Sequence, residues 1–134
     1  MSLTVVDASV LTVFYAATTD HRYDEVVARL RSGDALFASA HMDAEVVSAL
    51  RGLALRDVAL RKAVPEALRH LAEFPIRRVP LAPLLDRMWE LRDNVTPYDA
   101  AYVALAERLD GRLTTCDSKL ANASGVRSAI DLIA

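Results

Sequence analysis

One cysteine, one tryptophan, four glycines and five prolines are all that 134 residues provide of these types. A lone Cys116 excludes an internal disulfide and a cysteine-based zinc site. His21, His41 and His70 are scattered and make no histidine cluster. Aromatic residues are only 6% of the chain, which argues against an all-β sandwich, whose strands favour aromatic and β-branched side chains. No stretch of 18 or more apolar residues is present, so no membrane span is expected. The N-terminus lacks a basic leader, and Asp7 interrupts its apolar run, so no secretory signal is expected either and the cytoplasm is the default location. Strong net charge is missing as well. Sixteen basic residues face eighteen acidic ones for a formal charge of −2. The protein as a whole therefore exerts no pull on a polyanion, and any nucleic-acid binding has to work through a local arginine patch or bound metal ions.

Apolar residues make up 53% of the chain and charged residues 25%, a balance that builds a core and excludes a disordered chain. The length suits one domain spanning residues 1–134. Leu3–Val6 is a short apolar run that reads as a strand, and Ala35–Ala38, Ile76–Val79 between Pro75 and Pro80, Arg112–Thr115 and about Ser128–Ile133 are further strand candidates. Between them, helical spacing runs through Ala8–Ala17, His21–Arg31 (stopped by Gly33), His41–Arg56, Leu60–Phe74, Leu84–Arg92, Pro97–Leu109 and about Ser118–Ala123. The two helices on either side of Asp57 form an αα-hairpin, with Pro65 expected to bend or restart the second arm. Strands alternating with helices predict an α/β fold: a central parallel sheet of four or five short strands between two helical layers.

In such sheets ligands bind beyond the carboxyl ends of the strands, where strand order reverses. Asp7 ends the run Leu-Thr-Val-Val and Asp117 follows Arg-Leu-Thr-Thr-Cys at that kind of position, and a carboxylate there is costly unless a cation compensates it. Glu45 sits early in the helix beginning near His41. The apolar face of that helix reads as Val46, Val47, Leu50 and Leu53, while Glu45 shares a stripe with Ala49 and Gly52 that would allow close approach of a neighbour. Asp99 opens the helix that starts at Pro97. Four carboxylates brought together repel by several kcal/mol, on the order expected at an effective dielectric of ~20. A divalent ion removes that penalty, and oxygen ligands with bound water favour Mg²⁺ or Mn²⁺. Each acid also has a structural reading: Asp7 and Asp117 as helix caps, Asp99 in a capping box with Thr96, Glu45 as a solvated helix residue. Asp20, Asp24, Asp43, Asp93, Asp110 and Asp131 read as helix starts or loops.

Four strings carry a resemblance. They are Val5-Val6-Asp7-Ala8-Ser9-Val10, then Glu45 followed by Val-Val-Ser-Ala-Leu, then Thr96-Pro97-Tyr98-Asp99-Ala100-Ala101-Tyr102 continuing to Glu107, and Leu113-Thr114-Thr115-Cys116-Asp117-Ser118-Lys119-Leu120. In this order they resemble the signature blocks of PIN domains, and the block around Asp99 is similar to that of bacterial VapC toxins. The resemblance implies a three-layer α/β/α fold and a Mg²⁺- or Mn²⁺-dependent endoribonuclease, the toxin of a toxin–antitoxin pair. It makes Asp7, Glu45, Asp99 and Asp117 the catalytic and metal-binding acids, and Ser9 and Thr115 hydroxyls that orient them. Lys119 stands where some PIN domains carry a further acid, so a second metal held by protein ligands alone is not implied; the lysine reads first as a solvated surface residue, with a phosphate contact as the alternative. The implied partners are an RNA substrate, a cognate VapB-like antitoxin and a second copy of the chain, giving a homodimer and a heterotetramer or larger assembly with antitoxin. Leu85, Met88 and Trp89 could supply partner surface, with Trp89 read first as core.

Three other readings compete. A metal-free ribonuclease needs a histidine pair, and none is visible. A phosphoacceptor receiver needs two acids after the first strand, and only Asp7 is there. A PIN domain that merely binds RNA or protein usually lacks one of the four acids, and all four are present.

Overall fold

Val5 and Val6 are neighbours on a strand, so their side chains point to opposite faces, yet neither is exposed at all. Leu113, Thr114 and Thr115 are likewise buried in succession. Strands covered on both faces belong at the centre of a parallel sheet with helices on each side. In the computed structural model, which describes residues 2–16 and 18–134, this is their place. The elements are β1 (Leu3–Val6), α1 (Ala8–Ala16), α2 (Tyr23–Leu30), β2 (Ala35–Ser39), α3 (Met42–Ala54), α4 (Val58–Glu73), β3 (Ile76–Val79), a 3₁₀ turn (Ala82–Leu84), α5 (Leu85–Glu90), α6 (Pro97–Arg108), β4 (Arg112–Thr115), α7 (Ser118–Ala121) and β5 (Ile130–Leu132). They form the expected three-layer α/β/α arrangement.

The sheet order is β3-β2-β1-β4-β5, and every pairing is parallel. The chain builds outward from β1 through β2 to β3. It then returns to the other side of β1 with β4, so strand order reverses between β1 and β4. Val5 pairs with Leu113 and Val6 with Thr114 across that seam. Gly111 lets the two strands close up, since a Cβ there would run into the Leu3 side chain.

Helix α6 explains how the site is held. Its residues Ala100–Ala106 are all buried, the pattern of a helix surrounded by protein rather than lying on it. It packs against β1, β2 and β4 on the sheet and against α5. Its core side chains Val103 and Leu105 have no exposure, and each such burial contributes about 1.5–3 kcal/mol.

Several boundaries differ from those the spacing predicts, for local reasons. Ala17, placed at the end of the first helix, lies outside the described residues. α2 starts at Tyr23 because the Asp20 carboxylate accepts the Arg22 amide (2.8 Å) and forms a turn first. α4 starts at Val58, not Leu60, because Asp57 caps it by accepting the Leu60 amide (3.0 Å). Pro65 neither ends nor restarts α4, which runs unbroken from Val58 to Glu73. The helix expected at Leu84–Arg92 is divided into the 3₁₀ turn and the shorter α5. Among the described residues no helix is long and apolar enough to cross a membrane.

Candidate active site

Asp7 follows β1 directly, and its backbone amide still bonds to the Thr114 carbonyl of β4 (3.4 Å). The strand pairing thus carries its carboxylate to the carboxyl edge of the seam. One oxygen, Oδ1, accepts the amides of Ser9 (3.0 Å) and Val10 (3.4 Å), which caps α1. A cap explains no more than that. Oδ1 also accepts the Ser9 hydroxyl (2.5 Å), and Oδ2 accepts the Thr115 hydroxyl (2.5 Å). Each hydroxyl in turn accepts an amide from the turn after β4: Ser9 Oγ from Cys116 and Thr115 Oγ1 from Asp117, both at 2.9 Å. Ser9 and Thr115 therefore sew Asp7 to the segment that carries Asp117. Asp7 is 3% exposed. Burial pushes its carboxyl up to about 6, against the lowering effect of Ser9, Thr115 and the Val10 amide, and the charge of Asp99 adds to the rise.

Asp117 caps α7 by accepting the Lys119 amide (2.9 Å). Asp99 lies in the first turn of α6, where Pro97 pre-sets the backbone and the Thr96 hydroxyl accepts the Asp99 amide (3.2 Å). The expected cap is real, and it fixes where the Asp99 carboxylate starts from. That carboxyl is raised by burial first, then by the charges of Asp117 and Glu45, with partial relief from Thr96 and His41.

Glu45 is brought beside α6 by α3. Its Oε1 accepts the Tyr102 hydroxyl at 2.6 Å and lies 3.2 Å from His41 Nε2. His41 Nε2 is also 3.1 Å from the Tyr98 carbonyl. Both neighbours are acceptors, so the ring proton belongs on Nε2. The His41 ring rests on Tyr102, with centroids 4.7 Å apart. Burial pushes the Glu45 carboxyl up, but the bonds from His41 and Tyr102 outweigh it and leave it below the usual range.

The four acids come from four separate parts of the chain, and charge links them in part: Asp99 acts on Asp7, and Asp117 and Glu45 act on Asp99. Among the described residues, no three His, Cys, Asp or Glu side chains close to the spacing of a ready-made ligand cage. The two facts are compatible. Carboxylate oxygens that form no closed cage suit a hard cation that keeps several of its waters, as Mg²⁺ does, better than one stripped by a tight protein shell. A buried carboxyl raised to about 6 is also a group whose ionised form a cation would stabilise. The donor set fits a divalent ion of that kind.

Lys119 is exposed and, with Arg92, Asn94, Thr96, Pro97 and Asp99, lines a cleft of about 450 Å³ beside the acids. A larger hollow of about 790 Å³ lies away from them, at the amino ends of the central strands near Leu3, Asp110, Arg112 and Arg127.

Two residues of this site were missed by the sequence reading: His41 and Tyr102. Their spacing was visible, His41 four residues before Glu45 and Tyr102 three after Asp99, but many residues share such spacing. Three expectations need correction. The buried face of α3 is Met42, Val46, Leu50 and Ala54, while Val47 and Leu53 are exposed. A Cβ at Gly52 would meet nothing, so that glycine serves no close helix contact. Trp89 is 68% exposed, not core, with the Arg92 guanidinium 4.6 Å above its ring.

Residues 4–126 match the family described as PIN domain, and the chain belongs to that family. A narrower group within it is marked by the relatives. Ribonuclease VapC3 of Mycobacterium tuberculosis is 45% identical over 120 residues, covering 89% of this chain and 85% of its own length. Ribonuclease VapC12 of the same organism is 39% identical over 108 residues, covering 81% and 84%. The crystal structure of M. tuberculosis VapC20, described as a sarcin-ricin loop cleaving toxin, matches with a TM-score of 0.68 at 18% identity, over 94% of this chain and 98% of that one. That last likeness shows the fold. The four-block resemblance read in the sequence is borne out by the family match.

Proposed function

We propose that this chain is the toxin of a VapC-type toxin–antitoxin pair, an endoribonuclease that hydrolyses RNA phosphodiester bonds with Mg²⁺ or Mn²⁺. The observation that carries the reading is the match to the PIN-domain family, with VapC ribonucleases among the relatives, in a chain where Asp99 acts on Asp7, and Asp117 and Glu45 act on Asp99. A bound divalent ion would screen these carboxylates, hold a phosphodiester and lower the pKa of an attacking water. Asp7 is the anchor of the set, locked by Ser9 and Thr115 so that its orientation does not depend on substrate. Asp99 and Asp117 flank it from α6 and the β4–α7 turn, and Glu45 closes the ring from α3. Lys119, on the cleft beside Asp99, is placed to meet a backbone phosphate of the RNA.

The same charge logic supports a partner. An antitoxin arginine entering the crevice would pair with the carboxylates in place of the cation. We assign residues 1–134 to a single PIN domain, working in the cytoplasm as a homodimer that joins a VapB-like antitoxin in a heterotetramer or larger complex.

The test is cleavage of RNA by the purified chain. Activity should require Mg²⁺ or Mn²⁺ and stop with excess EDTA. Asp99→Asn should lower it by on the order of 100-fold or more, since even residues that only orient metal ligands are worth 10–100-fold. Cleavage that persists in EDTA, or is indifferent to Asp99→Asn, would overturn the assignment.

A further inference from the structure

Glu45 differs from the other three acids in how its two oxygens are used. Oε1 is engaged on two sides, by the Tyr102 hydroxyl at 2.6 Å and by His41 Nε2 at 3.2 Å. Among the described residues nothing donates to Oε2. The side chain of Glu45 is about one-third exposed, while that of His41 is nearly covered, and Tyr102 is 1% exposed. The donors are therefore buried, and the carboxylate they hold stays partly open to solvent.

Tyr102 Oη donates to Glu45 Oε1 at 2.6 Å, and among the described residues its hydroxyl has no second acceptor. It is a fixed hydroxyl donor, lodged between the Asp7–Ala8 turn and Glu45. His41 is fixed as well: Nε2 bonds to Tyr98 O and lies 3.2 Å from Glu45 Oε1, and its ring lies on Tyr102. A glutamate has three rotatable side-chain bonds, and freezing them otherwise costs conformational entropy when an ion binds.

We propose that Tyr102, seconded by His41, is a positioning residue that ties down Glu45 Oε1 and thereby presents Oε2 alone to the divalent cation. The inference rests on the metal-dependent reading above but goes beyond it, because it names which oxygen of Glu45 faces the ion and what makes it do so. It also explains why the first turns of α6 carry both Asp99 and Tyr102: one helix delivers an acid and the group that orients another acid from α3.

The experiment is Mn²⁺ binding to the RNA-free protein, followed by calorimetry or by the free-ion resonance signal, for wild type, Tyr102→Phe, Glu45→Gln and the double variant. Tyr102→Phe removes one oxygen and keeps the ring that packs the core. We expect its Mn²⁺ affinity to fall by roughly tenfold, with the double variant no weaker than Glu45→Gln alone, since both changes act through one carboxylate. Cleavage by Tyr102→Phe should recover as Mn²⁺ is raised, whereas a group acting on the substrate would stay defective at saturation. Wild-type affinity in Tyr102→Phe, or losses that add in the double variant, would overturn the proposal. If Tyr102→Phe does not fold, His41→Asn reads the same point through the second donor: a weaker Mn²⁺ site supports the positioning role and an unchanged one overturns it. The two levels separate cleanly. If Glu45→Gln and Asp99→Asn both leave Mn²⁺ binding intact, the metal site itself is wrong. If they weaken it and neither Tyr102→Phe nor His41→Asn does, only the positioning role is lost.

Discussion

Asp7 accepts more hydrogen bonds than capping α1 requires, and it still stands well above an ordinary aspartate, raised from 3.8 to about 6 by burial. A carboxyl whose folded pKa exceeds its unfolded value favours the folded state in full below the lower value. That contribution is lost as pH rises through the higher one. For Asp7 the window is about pH 4 to 6, and the loss is on the order of 3 kcal/mol. Asp20, Glu45, Glu107 and Asp131 are shifted the other way, so their contribution is present above the usual carboxylate range and fades only at lower pH. With divalent ions chelated, urea unfolding should therefore show lower stability at pH 8 than at pH 5. Asp7→Asn should flatten that slope and be more stable than wild type at pH 8, while losing activity. Equal stabilities at pH 8 would mean that Asp7 carries no burial cost.

At the scale of elements, α4 holds a clear exception to its own pattern. Pro65 lies inside an unbroken helix on an exposed position, where it removes a backbone donor and crowds the preceding turn. Pro65→Ala should stabilise the protein, by up to about 3 kcal/mol, in thermal or urea unfolding. No change would show that α4 has already adapted to the ring. β1 was legible as a short apolar run, and β3 because Pro75 and Pro80 bracket it. Helix starts were less so, because they depend on which nearby aspartate turns back on the chain, as Asp20 and Asp57 do. The face of α3 was misjudged because a stripe of apolar residues does not say how much of it a neighbour covers, and Val47 and Leu53 stay in solvent. Candidate acids were legible through the strings around them. Tyr102 and His41 were not, since their role exists only once α3 lies beside α6.

For the molecule as a whole, the repulsion among the acids links metal binding to stability. An ion that binds only the folded chain stabilises it by about 2.7 kcal/mol at 100 times its dissociation constant. Addition of Mn²⁺ should thus raise the melting temperature by several degrees, more at pH 8 than at pH 5, and Asp99→Asn should remove most of that shift. A shift that survives the substitution would place the ion elsewhere.

The hydroxyl bridge from Thr115 to Asp7 spans 108 residues of sequence, and that from Ser9 to the Cys116 amide spans 107. Long-range closure of this kind comes late in folding. On the proposed chemistry, a half-folded, nicked or prematurely ended copy carries no blade: the hazard to the cell is switched on by tertiary assembly itself.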